Sequence, residues 1–236
     1  MWWLPLALIL IIYLICTLPY YTGAYFRGTH LPYLRLRFHK GMWGEYRLFR
    51  AANRLSGRKA WLFNLYLPKQ DRATTEVDAV LIHESGVYVF ESKNLCGRID
   101  GAPDARDWQL TAPGGQAYLF YNPMLQNQTH CDYVQRTIPR ALIYSIIVFG
   151  KDTALGSLPT EHGAHHICTI EDLPTLLAEL STRIPHQHGA IKQTLIEAAL
   201  TPFAHPPHFA KLRHKETILR QKQRHAEKDK ADRNLL

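Results

Sequence analysis

Asp78, Glu91 and Lys93 have the residue types that hydrolysis of a phosphate ester requires. Two carboxylates can anchor Mg²⁺, which prefers oxygen ligands and usually keeps several waters. A bound metal lowers the pKa of its water and neutralises charge on the phosphate. A lysine can position or help deprotonate that water and stabilise the transition state. These three residues therefore indicate a metal-dependent phosphodiester site, with an exposed salt bridge as the alternative interpretation.

The segment that carries these residues has the pattern of a β-hairpin. Alternation predicts a strand over residues 77–83, a turn at Ser85-Gly86 and a second strand over residues 87–93. Side chains two positions apart on a strand share a face, so Glu91 and Lys93 should project together. Pairing of the strands should bring Asp78 near them. A slip of one residue in the pairing would turn Asp78 to the opposite face.

Further motifs occur around the hairpin in a fixed order between Gly44 and about Phe149. They are Gly44-Glu45 at the start of a helix, Val77-Asp78, Gly86-Val-Tyr-Val-Phe-Glu-Ser-Lys-Asn94, Gly97, Trp108 and Asn122-Pro123-x-x-Gln126. In this order they resemble the nuclease-related domain (NERD), a branch of the PD-(D/E)XK nuclease-like superfamily. The resemblance covers a little under half of the chain.

The resemblance implies a restriction-endonuclease-like α/β core, in which helices flank a central mixed sheet. It also implies metal-dependent cleavage of DNA or RNA. By the same resemblance, Asp78 and Glu91 would bind Mg²⁺, or Mn²⁺ in its place, and Lys93 would assist the water. Glu45 would add a further carboxylate from the first helix of the domain. Gln126 would lie near the site at the start of a later helix.

The N-terminal segment is apolar and carries no charge from Trp2 to Pro19. About 18 apolar residues can just span a hydrocarbon core of roughly 30 Å. Tryptophans at one end and tyrosines at the other resemble the aromatic belts of membrane interfaces. A cleaved signal peptide is the rival interpretation, but no basic residue precedes Arg27. A lipoprotein signal ending at Cys16 would place the bulky Ile15 where a small residue is expected. Residues 1–21 are therefore predicted to be an uncleaved transmembrane anchor.

Charge and cysteine usage predict the topology. Basic residues follow the apolar segment and none precedes it, so the positive-inside rule places the N-terminus outside and the domain in the cytoplasm. The expected location is the inner (cytoplasmic) membrane, crossed once. The four cysteines form no C-x-x-C pair, which agrees with a reduced compartment and argues against a zinc site.

The remaining organisation follows from composition. A basic and aromatic connector (22–40) is expected to lie along the membrane surface and to precede the nuclease-like domain (41–205). A charged tail (206–236) follows, which contains nine Lys or Arg and four Asp or Glu between residues 208 and 233. The net charge of +8 favours acidic partners. Connector and tail could both contact anionic lipid.

Two functional hypotheses follow. The first is a membrane-anchored nuclease without sequence specificity, whose Arg98, Arg106, Arg136 and Arg140 would contact the backbone. The second is a non-catalytic module of the same fold that binds nucleic acid or a protein at the membrane. The many histidines, among them those at 165 and 166, are interpreted as polar loop residues. His130 follows Gln126 by four positions and shares its helix face, where either a role near the site or a surface position would fit.

Overall fold

The computed structural model describes residues 3–68, 74–183 and 189–204. The predicted tail at 206–236 lies outside these residues. Within them, one helix contains a stretch, Leu4–Tyr21, that is long and apolar enough to cross a membrane. Because this criterion concerns length and composition alone, the stretch qualifies as a candidate membrane span.

The described part of the chain alternates helices and strands in an α/β arrangement. The helices are α1 (Trp3–Tyr21), α2 (Ala24–Thr29), α3 (Tyr33–Phe38), α4 (Lys40–Ala52), α5 (Pro123–Thr137), α6 (Leu173–Arg183) and α7 (Ala190–Ala204). The strands are β1 (Lys59–Pro68), β2 (Thr74–His83), β3 (Gly86–Lys93), β4 (Gly97–Asp100), β5 (Asp107–Thr111), β6 (Ala117–Tyr121), β7 (Ile143–Phe149), β8 (Thr153–Leu155), β9 (Glu161–His162) and β10 (His165–Thr169).

The central sheet is mixed, as the sequence predicts. Its strand order is β1-β2-β3-β7-β10-β9. The β1-β2-β3 meander is antiparallel, whereas β3, β7 and β10 run parallel and β9 is antiparallel again. Helices α4 and α6 pack on one face of the sheet, and α5 and α7 pack on the other. The predicted α/β core with flanking helices is confirmed.

A second, smaller sheet has the order β6-β5-β4-β8. It is joined to the main sheet through a third apolar cluster that includes Trp108, Ile99 and Phe149. The Trp108 side chain is fully buried, and its indole N–H donates to the Ala102 carbonyl oxygen at 2.8 Å. This hydrogen bond satisfies the one polar atom of the largest buried side chain.

The connector forms the short helices α2 and α3. Tyr25 of α2 and Leu36 of α3 are buried in the same apolar cluster as α4. The last turn of α1 joins this cluster as well, because Tyr20 is 5% exposed and its hydroxyl donates to the Leu31 carbonyl oxygen at 2.6 Å. The connector thus contributes to the core of the domain.

The hairpin turn differs from the prediction by one residue. The turn consists of Glu84-Ser85, and His83 pairs with Gly86. Moving a two-residue turn by one position shifts the strand pairing by two, so the side chains of the paired residues, 79–83 and 86–90, keep their faces. Ala79 pairs with Phe90, and Asp78 and Glu91 are the next residues on their strands, just beyond this last pair.

The interpretation of the histidines at 165 and 166 as polar loop residues is wrong, whereas the short strand that the pattern of residues 166–170 predicts is present as β10. Both histidines lie in β10, pair in parallel with β7 and are buried. His165 Nδ1 lies 2.7 Å from Ser145 Oγ, which satisfies one buried ring nitrogen. The parallel pairing with a central strand is a long-range contact, which local polarity does not reveal.

Candidate active site

The candidate site lies where β2 and β3 separate. Their pairing extends from the turn to Ala79↔Phe90 and ends there, one position before Asp78 and Glu91. On the other side of β2, the β1 residue opposite Asp78 is Asn64, which has φ of 50°. Asparagine tolerates this left-handed conformation better than most residues. Asp78 therefore lies at an irregular point of the sheet, where both neighbouring ladders change.

Glu91 is a buried carboxylate at this point, with only 2% of its surface exposed. Its Oε1 lies 2.7 Å from Lys93 Nζ, and its Oε2 lies 3.2 Å from His130 Nε2. Burial raises the pKa of Glu91. The hydrogen bond with His130 and the charge of Lys93 together lower it by more than burial raises it, so the pKa lies below its ordinary value. Glu91 is thus held in the charged form.

His130 is a buried residue of α5 that contacts β2 and β3 at once. Its Nδ1 lies 2.9 Å from Thr75 Oγ1, and its Nε2 faces Glu91. Both ring nitrogens therefore have partners, and the ring orientation is fixed from two sides. The sequence left open whether His130 was a site or surface residue, and the structure places it beside the site. Its spacing of four from Gln126 was the available signal.

Lys93 and Gln126 meet across the same junction. Lys93 Nζ donates to Gln126 Oε1 at 2.9 Å and contacts Glu91 Oε1 as well. Gln126 lies in the first turn of α5, which Asn122 caps by accepting from the Met124 N–H at 2.8 Å. The helix start predicted from Asn122-Pro123 therefore brings Gln126 to the position that the family resemblance implied.

Asp78 is half-buried and lies beside the backbone of β3. Its Oδ2 accepts from the Ser92 N–H at 3.1 Å. Burial, followed by repulsion from Glu91 and Glu45, raises the pKa of Asp78 well above its ordinary value. The hydrogen bond from Ser92 opposes this shift without cancelling it. Asp78 therefore favours the protonated, uncharged form more strongly than an ordinary aspartate does.

Glu45 approaches from α4, on the face of the sheet opposite α5. Burial raises the pKa of Glu45 to about 7, with further contributions from Glu76 and Glu91, while a hydrogen bond with Tyr25 acts in the opposite direction. The structure therefore brings Glu45, Asp78 and Glu91 within electrostatic range of one another. The two helices that flank the sheet supply Glu45 and Gln126 from opposite sides.

The chemistry of this donor set suits a hard cation. Carboxylate oxygens are the ligands that Mg²⁺ prefers, and a positive ion would relieve the repulsion that raises the pKa values of Asp78 and Glu45. In the part of the chain that the structure describes, no three His, Cys, Asp or Glu side chains lie close enough together to hold a metal ion, so Glu45, Asp78 and Glu91 do not converge as a three-carboxylate site. One or two carboxylates with waters are the usual protein contribution to a Mg²⁺ site.

The arginines predicted to contact nucleic acid have contacts with residues outside this site. Arg98 is paired with Asp100, and Arg106 with Asp107. Arg136 stacks over the Tyr133 ring at 4.8 Å, and Arg140 lines a largely apolar groove between the end of α5 and α7. A second set of arginines, on α4 and the turn after it, was not predicted; its signal is the spacing of Arg47, Arg50 and Arg54.

Comparison with known proteins finds similarity to one family model and to one relative. Residues 40–150 match the family model of the nuclease-related domain. An uncharacterized protein of Bacillus anthracis is 28% identical over 136 residues, which cover 57% of this chain and 64% of the relative. The chain therefore spans somewhat less than two thirds of that relative's length. All five predicted site residues lie inside the matched segment. Residues 40–150, slightly under half of this chain, are thus similar to the nuclease-related domain family.

Proposed function

We propose that this protein is a membrane-anchored, divalent-metal-dependent nuclease that hydrolyses phosphodiester bonds in DNA or RNA. The observation that carries the proposal is the position of Glu91. It is buried, charged and held by Lys93 and His130 at the point where β2 and β3 separate. Asp78 and Glu45 lie within electrostatic range of it. Such a concentration of perturbed carboxylates supports a functional site.

Asp78 and Glu91 would hold Mg²⁺ or Mn²⁺, with Glu45 as a further carboxylate. The metal would supply an activated water and offset negative charge on the phosphate. The reaction adds water across a P–O bond, which leaves a phosphate on one fragment and a hydroxyl on the other. Deprotonation of Asp78 and Glu45 is required before either can bind a cation, and their raised pKa values favour the opposite state when no cation is present.

Lys93 would orient the attacking water or a phosphate oxygen. An ammonium group has three N–H donors. Among the residues that the structure describes, Glu91 and Gln126 engage two of them. The third can donate to a ligand, and its direction is fixed because the other two are held. Gln126 is therefore proposed as a positioning residue that acts through Lys93.

The proposed location is the cytoplasmic membrane, with α1 as a single anchor and the domain on the cytoplasmic side. The length and apolar character of Leu4–Tyr21 support the anchor, and the absence of basic residues before Arg27 supports the orientation. Helix α3 carries Arg35 and Arg37 and exposes Phe38, a composition that suits contact with anionic lipid.

A non-catalytic module is the second candidate. It is favoured by one observation, that both oxygens of Glu91 already have partners in Lys93 and His130. If those contacts were permanent, Glu91 would stabilise the fold, and Lys93 and His130 would compete with a cation for both of its oxygens. The chain would then bind nucleic acid or a protein at the membrane.

Cleavage assays on the full chain in detergent micelles would test the proposal. The unmodified protein is incubated with labelled single- and double-stranded DNA and RNA in Mg²⁺, Mn²⁺ or chelator. Lys93→Ala and Asp78→Asn are compared with the matched surface controls Lys151→Ala and Asp104→Asn, which alter exposed side chains. We expect metal-dependent cleavage that both site variants lose and both controls keep. Folded protein that cuts no substrate with either metal would favour the non-catalytic module.

A further inference from the structure

An arginine-lined groove runs between α4 and the segment that leads into α6. It has a volume of about 300 Å³. Its lining residues are Arg47, Arg50, Ala51, Arg54, Ile170 and Glu171. Three guanidinium groups thus face a single carboxylate around one concave surface.

Two of the arginines lie three positions apart on α4, and the third follows in the turn after the helix. Residues three and four apart on a helix are neighbours on its surface, so Arg47 and Arg50 form one continuous positive strip that Arg54 extends. Guanidinium groups match phosphate oxygens in planar, two-bond geometry. The groove therefore presents the side chain best suited to a phosphodiester backbone.

Most of this charge is not neutralised by the protein. Arg47 Nη2 lies 3.5 Å from Glu171 Oε1, and both side chains are partly exposed. Within residues 3–68, 74–183 and 189–204, no carboxylate lies within ion-pair distance of Arg50 or Arg54. Arg98 and Arg106 differ in this respect, because each already has an aspartate partner.

The groove is connected to the candidate active site. Arg47 and Ile170 also line an adjoining narrow cleft, together with Ser92 and Asn94. Ser92 is the residue whose N–H donates to Asp78. The groove and the cleft therefore adjoin β3 at the residue between Glu91 and Lys93, on the α4 face of the sheet from which Glu45 approaches.

We propose that this groove binds the phosphodiester backbone of the nucleic acid substrate next to the bond that is cut. The inference deepens the proposed function and rests on it. Arginine contacts to phosphates carry no sequence information, so the groove would bind any sequence with strongly salt-dependent affinity. Anionic lipid is the competing occupant, and the connection through Arg47 and Ser92 to Asp78 favours nucleic acid.

The test measures binding separately from cleavage. The full chain is placed in phosphatidylcholine nanodiscs, and fluorescence anisotropy follows a labelled single-stranded DNA oligonucleotide, with Ca²⁺ replacing Mg²⁺. The double variant Arg50→Gln/Arg54→Gln is compared with Lys151→Gln/Arg183→Gln, which removes the same charge from paired surface positions. Cleavage in Mg²⁺ is measured in parallel. Circular dichroism checks that each variant is folded.

We expect the groove variant to bind roughly tenfold to thirtyfold more weakly at 0.1 M salt, because each phosphate contact to a single strand contributes a slope of about −0.7 in log affinity against log salt. Because two contacts are removed, the magnitude of the slope of log affinity against log salt should decrease by about 1.4. The control variant should change little. Equal losses in both variants, no loss in the groove variant, or no salt-dependent binding by the unmodified protein would each overturn the inference.

The outcomes also separate this inference from the proposed function. If DNA binding depends on the groove but the unmodified protein cleaves nothing, the groove inference stands and the nuclease proposal is rejected. If the groove variant cleaves as well as the unmodified protein, the nuclease proposal stands and the groove inference is rejected. A further arm adds phosphatidylglycerol to the nanodiscs. If this weakens DNA binding by the unmodified protein but not by the groove variant, the groove binds lipid and the inference fails.

Discussion

His130 Nε2 lies 3.2 Å from Glu91 Oε2, so a side chain of α5 orients a carboxylate of β3. Both groups are buried, and the far side of the imidazole is held by Thr75 at 2.9 Å. The position of a candidate metal ligand thus depends on how α5 packs against the sheet. This coupling of helix and strand has measurable consequences.

Removal of the His130 imidazole should change the pKa and the orientation of Glu91, while the carboxylate itself stays in the site. Since the hydrogen bond with His130 is the main influence that lowers the pKa of Glu91, His130→Ala should raise that pKa. Activity on the acid side of the pH profile should therefore be lost at a higher pH, and cleavage should fall about 10- to 100-fold, as for other residues that orient metal ligands. Rates are measured across pH, with His162→Ala as an exposed control. An unchanged acid limb would contradict this prediction.

Glu45 should make the metal-free protein less stable as pH rises. Its pKa is raised from 4.5 to about 7 in the folded state, so folding favours the protonated form. The resulting penalty is absent below the unfolded pKa of 4.5, grows between the two values and is complete above about 7.

The melting temperature in chelator should therefore fall as pH rises through this window, and Glu45→Gln should reduce the fall. Asp78 contributes in the same direction, because its pKa is also raised, so a residual slope should remain. Thermal unfolding of both proteins at several pH values provides the measurement. A steeper fall in Glu45→Gln would be incompatible with this account, and added Mg²⁺ should restore stability at high pH if the site binds it.

Asn127 should be important for the attachment of α5. It is fully buried, and its Nδ2 donates to the Val89 carbonyl oxygen at 3.0 Å and to Ser145 Oγ at 2.8 Å. Asn127→Ala removes both hydrogen bonds and should lower the free energy of unfolding by about 2 kcal/mol. Gln128→Ala, at an exposed position on the same helix, should change it by less than about 0.5 kcal/mol. Chemical unfolding of the two variants makes the comparison, and equal losses would refute the assigned role.

The connector should be required for a stable fragment. A fragment that begins at Gly41 lacks Tyr25 and Leu36, whose side chains are 1% and 0% exposed. Loss of one such large side chain from a core typically costs about 3 kcal/mol. A fragment that begins at Pro19 retains them and also Tyr20. We expect the longer fragment to be soluble with a cooperative thermal transition, and the shorter one to melt at a clearly lower temperature or to aggregate. Equal melting temperatures would show that the connector packing is dispensable.

Sequence patterns predicted the parts of the site that depend on local periodicity. The same face for Glu91 and Lys93 follows from strand alternation, and the start of α5 follows from Asn122-Pro123. The turn was predicted one residue too late because Ser85-Gly86 is a sequence signal for turns, whereas Gly86 has an extended backbone and begins β3. Since turn displacement preserves side-chain parity, the error did not affect the predicted grouping.

The other features depend on contacts between distant segments. The partner of His130 is set by the packing of α5 on β3, and the burial of His165 and His166 follows from parallel pairing with β7. Likewise, the arginine groove exists because α4 lies beside the segment before α6. Motif order indicated the family and the residues of the site. It carried no information on which side chains would hold them.

The burial of Tyr20 attaches the end of α1 rigidly to the domain instead of through a flexible linker. Its hydroxyl is bonded to Leu31, and its ring packs among those of Tyr21, Tyr25 and Tyr46. With α1 spanning the bilayer as proposed, the catalytic opening would have a fixed height and heading above the lipid surface. A domain attached in this way could not swing on a flexible linker to reach nucleic acid at other distances from the membrane. Its choice of substrate would be decided by which strands are delivered to that spot.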